Sequence, residues 1–241
     1  MIFDEYYEMH GDRLYGDDPA ITGGIGVFQS IPVTVISHVR GRNLEENKKS
    51  NFAMAHPEGY RKALRLIHQA EKFHRPVICF IDTSGAYCGI GAEERGQGEA
   101  IARNLYELIN VKTPIVSIVL GEGGSGGALA LGMCDELAMM ENALYSVISP
   151  RGCASIIWKD ASREKEAANS LHITAEDLLE LQVAEHIISE PAGGSQKDPV
   201  ASASNISEYL AEVLPRLLQE PLDILLEKRY DKFRKIGTFS E

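Results

Sequence analysis

A glycine-rich stretch in the middle of the chain, Gly121 to Gly127, has the composition of a site that contacts an anion. Five of its seven residues are glycines, so the backbone can approach a ligand closely and adopt conformations that other side chains forbid. An apolar run precedes the stretch and a run of small residues follows it, which predicts a strand, a turn and a helix. The unpaired N–H groups at the start of that helix would bind an anion, or stabilise an oxygen that becomes negative during a reaction.

One pattern within the stretch points to a nucleotide. Gly121-x-Gly123-x-x-Gly126 matches the dinucleotide fingerprint, and Glu141 lies near the distance expected for an acid that binds a ribose. This pattern favours a nucleotide-binding module. A second glycine turn, Gly85–Gly91, has the same setting between a strand and a helix and weakens that interpretation. A tight packing turn without any ligand is a further alternative.

A second pattern points to a hydrolase. Gly123-x-Ser125-x-Gly127 matches the nucleophile elbow, in which the serine needs a histidine that follows it along the chain. Only His172 and His186 follow it, and both are predicted in helical or charged surroundings. The sequence therefore favours Ser125 as a turn residue.

Composition and charge exclude several classes of protein. The formal net charge of −11 argues against non-specific binding of nucleic acid by the whole surface. No cysteine–histidine spacing predicts zinc, no CxxC motif occurs, and no stretch is long and apolar enough to span a membrane. Without a signal peptide, the four cysteines predict no disulfide framework, and we expect a cytoplasmic protein.

Positive charge is nevertheless concentrated between Arg40 and Arg75, a segment that contains nine lysines and arginines and only four glutamates. Such a patch can meet phosphates or an acidic partner. The candidates for such a contact are Arg40, Arg42, Arg61 and Lys62.

The elements that must position these residues follow from apolar periodicity and turn signals. Gly23-Gly24 in the first strand predicts a bulge or a close backbone approach. The predicted strands are Ile21–Phe28 paired with Ile31–Val39, Pro76–Ile81, Pro114–Leu120, Glu136–Met140 and Leu144–Ile148. The predicted helices are Tyr60–Phe73, one that follows Arg95 and ends at about Ile109, one after a capping box at Thr174, Val200–Leu218 and Leu222–Ile236. Ser149–Cys153 is predicted as a turn. The repeated order of strand, glycine turn and helix implies parallel strands with right-handed crossovers.

Longer strings give a more specific signal than either three-residue pattern. The sequence resembles the α subunit of the carboxyltransferase of bacterial acetyl-CoA carboxylase from about Phe3 to Tyr230. The strings that carry the resemblance are Gly11-Asp12-Arg13, Asp17-Asp18-x-Ala20-Ile21-x-Gly23-Gly24, Asn51-Phe52-x-Met54-x-x-Pro57-Glu58-Gly59-Tyr60-Arg61-Lys62-Ala63, Gly91-Ala92-Glu93-Glu94-Arg95-Gly96-Gln97, the central glycine stretch and Tyr145-Ser146-Val147-Ile148-Ser149-Pro150.

The resemblance implies a fold. Such proteins have an α/β ClpP/crotonase-like fold, a superhelix of repeated ββα units. Here it would form a single carboxyltransferase domain over residues 1–241, with a core at 1–190 and a tail of helices at 191–241. It also implies a short form that lacks the N-terminal helical extension of longer members.

The resemblance also implies a reaction and partners. The family moves a carboxyl group from N1′ of carboxybiotin, which is attached to a separate carrier protein, to acetyl-CoA. The product is malonyl-CoA, in the first committed step of fatty acid synthesis. The implied assembly is an α2β2 heterotetramer whose β subunit carries zinc, while this chain holds no metal. The biotin carrier and the ATP-dependent biotin carboxylase complete the complex. A stand-alone enoyl-CoA hydratase or isomerase of the crotonase type is the alternative.

Site residues follow by the same resemblance. Gly126 and Gly127 would form the oxyanion hole for carboxybiotin. Glu93, Glu94 and Glu122 are candidates for acid–base work, although a helix start is the favoured interpretation of Glu93 and Glu94. The residues expected to bind the substrate are Gly123, Gly124, Gly85, Ala86, Tyr87 and Tyr145.

Two departures from the family pattern lie near this site. Ser84 and Cys88 replace two prolines of the usual loop, which would make the loop less rigid. Arg151 replaces a glutamate that usually follows Pro150 and reverses a charge at that position.

Overall fold

The computed structural model describes residues 1–237, which fold around one eight-stranded mixed sheet. The strands are β1 (Glu5–Glu8), β2 (Ile21–Phe28), β3 (Ile31–His38), β4 (Val77–Thr83), β5 (Ile115–Gly124), β6 (Glu136–Met140), β7 (Leu144–Ser146) and β8 (His186–Ile188). The helices are α1 (Leu44–Lys49), α2 (Pro57–Lys72), α3 (Ile90–Glu94), α4 (Gln97–Leu108), α5 (Ser125–Leu129), α6 (Pro150–Ile157), α7 (Glu164–Leu171), α8 (Ala175–Glu180), α9 (Pro199–Gln219) and α10 (Leu222–Lys235).

The sheet has the order β1-β2-β3-β4-β5-β6-β8. Strands β1, β2 and β3 pair antiparallel, and every pair from β3 onward is parallel. The predicted β2–β3 hairpin and the predicted parallel pairing are therefore confirmed. Strands β1 and β8 were not predicted, because each is short and depends on pairing with a distant strand.

Strand β5 belongs to two parts of the sheet. Its first half, Val116–Val119, pairs with β6, whereas its last three residues, Glu122–Gly124, pair with β7. Its partner on the other side, β4, shifts register beyond Ile81, so that Thr83 lies opposite Gly123. The prediction of a turn over Gly121–Gly124 is wrong, since pairing on both sides keeps these glycines extended.

Apolar residues of α2 pack against the sheet with no exposed surface. Ala63, Leu66, Ile67 and Ala70 are fully buried at the i, i+3 and i+4 spacing of one helical face. The helix begins at Pro57, three residues before the predicted start, since proline suits the first helical position. The core of the sheet and this helix face together place the carboxyl ends of β4 and β5 side by side.

One helix prediction is confirmed and one turn prediction needs correction. The predicted helix after Arg95 is α4, which ends one residue before the predicted Ile109. The short helix α3 before it was not predicted, and Gly96, in a left-handed conformation with φ of 82°, divides the two helices. The predicted turn Ser149–Cys153 is the start of α6. Ser149 accepts a hydrogen bond from Gly152 N and Pro150 occupies the first turn, which is a strong helix-start signal.

Other predicted elements are confirmed. Thr174 and Asp177 form the predicted capping box of α8. Both C-terminal helices lie within one residue of their predicted bounds. Of the two features predicted at Gly23-Gly24, the structure shows the close backbone approach and no bulge. The β1–β2 register is regular, and a Cβ at Gly24 would overlap Tyr7 O.

The side chain of Arg229 ties α10 to the body of the fold. It is fully buried and pairs with Asp135, with Nε–Oδ1 and Nη2–Oδ2 distances of 2.8 and 2.7 Å. It also donates to three backbone carbonyls, those of Leu108, Val111 and Thr113. All five donors of the guanidinium are thus used inside the protein.

The string Gly11-Asp12-Arg13 has a structural role. The Asp12 carboxylate accepts hydrogen bonds from the backbone N–H groups of Leu14, Tyr15 and Gly16 and from Arg61 Nε at 2.8 Å. Burial alone would raise the pKa of this carboxyl, but these hydrogen bonds outweigh it and hold the pKa at about 2.

We therefore expect Asp12→Asn to lower the free energy of unfolding at pH 7 by about 2 kcal/mol. Because the folded-state pKa lies below the unfolded value, this stabilisation is complete above pH 4 and is lost as the pH falls toward 2. Urea denaturation of both proteins at pH 7, 4 and 3 should show a difference that shrinks with falling pH. A difference that is constant over this range would contradict the assignment.

No helix within residues 1–237 is long and apolar enough to cross a membrane.

Candidate functional site

A cavity of about 430 Å³ opens where β4 and β5 end and where α5 begins. Backbone from three loops and the side chains of several isoleucines form its wall. The lining residues are Ser84, Gly85, Ala86, Ile101, Glu122, Gly123, Gly124, Ser125, Gly126, Leu144, Ser146, Val147, Ile148, Ser149, Pro150 and Ile173. Six of the predicted site residues, Gly85, Ala86, Glu122, Gly123, Gly124 and Gly126, are therefore brought together.

The glycines of β5 are required by close packing on both sides of the strand. A Cβ at Gly124 would overlap the carbonyl of Ser84, and a Cβ at Gly123 would overlap the ring of Tyr145. The floor of the cavity is consequently bare backbone that a substrate can approach closely.

Among the described residues, the junction between β5 and α5, beside the cavity, leaves two backbone N–H groups without a backbone acceptor. Ser125 has a left-handed conformation with φ of 53°, which turns the chain sharply from strand to helix. In the described part of the chain, the N–H groups of Gly126 and Gly127 donate to no other backbone group. The helix α5 has only five residues, so these individual N–H groups matter more than a helix dipole.

Gly127 lies behind the cavity wall and against the neighbouring loop. A Cβ on this residue would lie 2.6 Å from Ala86 N, 2.7 Å from Gly85 C and 2.9 Å from the buried hydroxyl of Tyr60. The lack of a side chain at Gly127 thus allows two glycine-containing loops to touch.

Hydrogen bonds from neighbouring residues fix the loop that carries Gly85 and Ala86. Thr83 Oγ1 bonds to both polar backbone atoms of Gly85, and Tyr87 N donates to Ala55 O at 3.0 Å. The buried amide of Gln97 donates to the carbonyls of Ala55 and Tyr87 at 2.8 Å each. These contacts supply order in a loop that lacks prolines, and Gln97 had been assigned no role from the sequence.

Neither predicted tyrosine lines the cavity. The ring of Tyr87 packs on that of His56 with centroids 4.3 Å apart. The ring of Tyr145 fills the space beside Gly123 and Gly132, and burial raises the pKa of its hydroxyl. Both tyrosines therefore shape the site through packing.

An ion-pair cluster lies at the edge of the cavity. Arg40 Nη1 is 3.1 Å from Asp82 Oδ1 and Arg40 Nη2 is 3.0 Å from Glu122 Oε2. Asp82 Oδ1 also accepts the backbone N–H of Glu122 at 3.0 Å. Burial raises the pKa of the Asp82 carboxyl, and the neighbouring Arg40 opposes that shift.

The remaining predicted cations are placed elsewhere. Lys62 is 1% exposed and its Nζ contacts Asp17 Oδ1 at 2.5 Å, so its charge is used inside the protein. Arg61 binds Asp12 and the carbonyl of Arg95 inside the structure. Arg42 is exposed and pairs with Glu46 on the same helix end.

Glu93 and Glu94 lie outside the cavity. Both are exposed on α3, the five-residue helix that follows the Gly85–Gly91 loop. Glu93 lies in the first turn of this short helix, in keeping with the predicted helix start. Among the sixteen described residues that line the cavity Glu122 is the one glutamate, so Glu93 and Glu94 form no acid–base pair there.

The alternative motif partners are also remote. Glu141 accepts a hydrogen bond from the backbone of Glu190, away from the cavity. His172 pairs with Asp177, and His186 lies in strand β8 with its ring stacked on Tyr209. Neither histidine lines the cavity with Ser125, so the arrangement supports neither a ribose site nor a catalytic serine.

Among residues 1–237, no three histidine, cysteine, aspartate or glutamate side chains are grouped as a metal site would require. The sequence had also missed part of the wall: Ile101, Ile173 and the segment Val147–Pro150. Ile101 and Ile173 reach the cavity from α4 and from the turn before α8, which no local pattern indicates.

A sequence model of the family described as "Acetyl co-enzyme A carboxylase carboxyltransferase-like" matches residues 1–237. Similar curated proteins include the acetyl-coenzyme A carboxylase carboxyl transferase subunit alpha of Shouchella clausii, 58% identical over 241 residues, which are 100% of this chain and 74% of that protein. The protein of the same name from Clostridium perfringens is 57% identical over 235 residues, 98% of this chain and 87% of that protein.

Solved structures that resemble this chain include transcarboxylase 12S with methylmalonyl-coenzyme A bound, at a TM-score of 0.71 and 18% identity. The likeness covers 91% of this chain and 41% of that one. A Pseudomonas malonate decarboxylase hetero-tetramer in complex with coenzyme A gives a TM-score of 0.71 and 16% identity, over 89% of this chain and 86% of that one. These are crotonase-type folds, and the predicted fold class is confirmed.

Proposed function

The chain belongs to the acetyl co-enzyme A carboxylase carboxyltransferase-like family, and from this premise we propose how its cavity serves the transfer of a carboxyl group from carboxybiotin to acetyl-CoA. The names of the relatives confirm the function that was predicted from the sequence, the α subunit of an acetyl-CoA carboxylase carboxyltransferase. They do not favour the hydratase alternative.

The cavity fits a small neutral ring that carries one anionic group. Its wall combines aliphatic side chains, such as Ile101, Ile148 and Ile173, with bare backbone at Gly123 and Gly124. Carboxybiotin, when bound, supplies an activated carboxyl group on a ureido nitrogen. The aliphatic wall would hold the ring, and the glycine floor would allow the reacting atoms to approach the backbone.

The unpaired N–H groups at the start of α5 carry this proposal. In it, Gly126 and Gly127 stabilise negative charge on the ureido oxygen while the carboxyl group departs. Ala86 N lies close to Gly127 and is suited to the same task. Fixed backbone donors need no reorganisation during the reaction, and one such donor typically contributes about 3–4 kcal/mol to a transition state.

Charged side chains take a smaller part in the proposal. Glu122 is ion-paired with Arg40, so we assign it no proton transfer. Arg42 lies two residues after Arg40 and its side chain is exposed. It is the remaining candidate for contact with phosphates or a partner. Lys62 and Arg61 are omitted, since their charges are used within the protein.

Partners complete the reaction in this proposal. A β subunit would hold the acyl-CoA and the zinc, within an α2β2 assembly that receives carboxybiotin from its carrier protein, itself loaded by a biotin carboxylase. Exposed apolar side chains at the cavity mouth and on α6, Val147, Ile156 and Ile157, support a protein contact at this face. We further propose that residues 1–190 and the C-terminal helices form a single unit, because Arg229 of α10 binds Asp135 of the core.

The test is carboxylation of free biotin from malonyl-CoA, the reverse half-reaction. We expect no turnover with this chain alone and turnover when a β subunit from one of its relatives is added. Activity of the chain alone would contradict the division between subunits. Absence of activity in the mixture, together with hydration of an enoyl-CoA by the chain, would favour the alternative function.

A further inference from the structure

In the proposed function the cavity receives an anion, although the one charged side chain among its lining residues is an acid. Of the sixteen residues that line it, Glu122 alone carries a charged side chain. A carboxylated biotin bears a negative charge, whereas biotin after transfer is neutral. An unopposed carboxylate at this position would therefore weaken binding of the carboxylated form specifically.

Arg40 opposes that charge. It contacts the carboxylates of both Asp82 and Glu122, and the three side chains together carry one positive and two negative charges. Arg40 and Glu122 are 39% and 45% exposed, so the pair is neither sealed in the core nor fully screened by water. The two charges can therefore act on a ligand in the neighbouring cavity.

We propose that Arg40 is a specificity-determining residue that lets the cavity discriminate carboxylated from uncarboxylated biotin. By offsetting one of the two negative charges it favours entry of the anionic form, and the balance of the three charges sets the relative affinity for the two forms. The inference rests on the proposed function. It assigns to Arg40 a role in binding that differs from a contact with coenzyme A phosphates.

The test uses the complex with the β subunit and two substrates that differ in charge. KM is measured for the carboxylated carrier protein in the forward direction and for neutral biocytin in the reverse direction. Arg40→Gln should raise KM for the carboxylated carrier about fivefold, equivalent to about 1 kcal/mol. Its KM for biocytin should change less than twofold.

Glu122→Gln should have the opposite effect and lower KM for the carboxylated carrier by a similar factor. The double variant has the same net charge at this site as the wild type, and its KM should return to within twofold of the wild-type value. Arg103→Gln, which removes an exposed ion-paired arginine from α4, serves as the control.

Shifts of the two single variants in the same direction would overturn the inference, as would equal shifts of KM for the charged and the neutral substrate. If Arg40→Gln fails to fold, an unchanged KM in Glu122→Gln alone overturns it. Failure of the proposed function itself would look different, because the wild-type mixture would then be inactive.

Discussion

Gly127→Ala is expected to reduce kcat of the two-subunit complex about a hundredfold. The added methyl group would lie 2.6 Å from Ala86 N and 2.7 Å from Gly85 C, and both of these are backbone atoms. The loop and the start of α5 must therefore separate, which displaces the N–H groups proposed to stabilise the ureido oxygen. A loss of about 3 kcal/mol of transition-state stabilisation corresponds to this factor.

Gly98→Ala is the matched control for that variant. Gly98 lies in α4, where an added Cβ meets no atom within 4 Å. Alanine is the better helix former, so this substitution should leave kcat unchanged and stabilise the fold slightly. Urea denaturation of both variants separates a displaced loop from a global loss of structure. Wild-type kcat in a folded Gly127→Ala protein would refute the importance of the close approach.

Arg229→Met is expected to lower the free energy of unfolding by about 3–5 kcal/mol. Methionine fills part of the space but leaves Asp135 as a buried charge without its partner. It also removes the donors to three carbonyls, those of Leu108, Val111 and Thr113. Removal of one member of a buried ion pair costs more than the pair contributes, because the other charge remains desolvated.

Arg234→Met is the comparison for this substitution. It makes the same chemical change on the exposed surface of the same helix and should alter stability by less than about 0.5 kcal/mol. The measurement is the midpoint and slope of urea denaturation for both proteins. A decrease of less than about 1 kcal/mol in the free energy of unfolding of Arg229→Met would show that Asp135 finds another partner.

The sequence predicted those parts of the fold that depend on local patterns. The continuous apolar run that becomes β4 has the composition of a strand buried on both faces, and it has that position. The capping box at Thr174 and the periodicity of α9 and α10 likewise depend only on residues within a few positions. These elements were predicted with nearly correct bounds.

The glycine stretch shows why other parts of the fold could not be predicted from the sequence. Glycine has weak intrinsic preference, so its conformation is decided by its neighbours in space. Pairing with β7 and with Thr83 keeps Gly123 extended, and neither contact has a sequence pattern. The start of α6 is a different case, since Ser149 and Pro150 carry a helix-start signal that was read as a turn.

Site residues brought together from distant positions were the hardest to predict. Arg40 meets Asp82 and Glu122 across 42 and 82 residues. The sequence indicated a basic region, but the structure places its charges differently. Lys62 is buried, Arg42 is exposed, and Arg40 pairs with Glu122 at the edge of the cavity. Charge counts predict how much charge is present, whereas only the fold determines where each charge is used.

The contact between Arg229 and Asp135 has a consequence for biosynthesis. The two residues are separated by 94 positions, so a ribosome that adds 5–20 residues per second completes Asp135 about 5 to 19 s before Arg229. During that interval the nascent chain holds a carboxylate at the end of a forming sheet with no cation to bury it. The Asp135 carboxylate must therefore stay hydrated until α10 is made, and the contact that holds α10 to the body of the fold forms only after translation of the last helix.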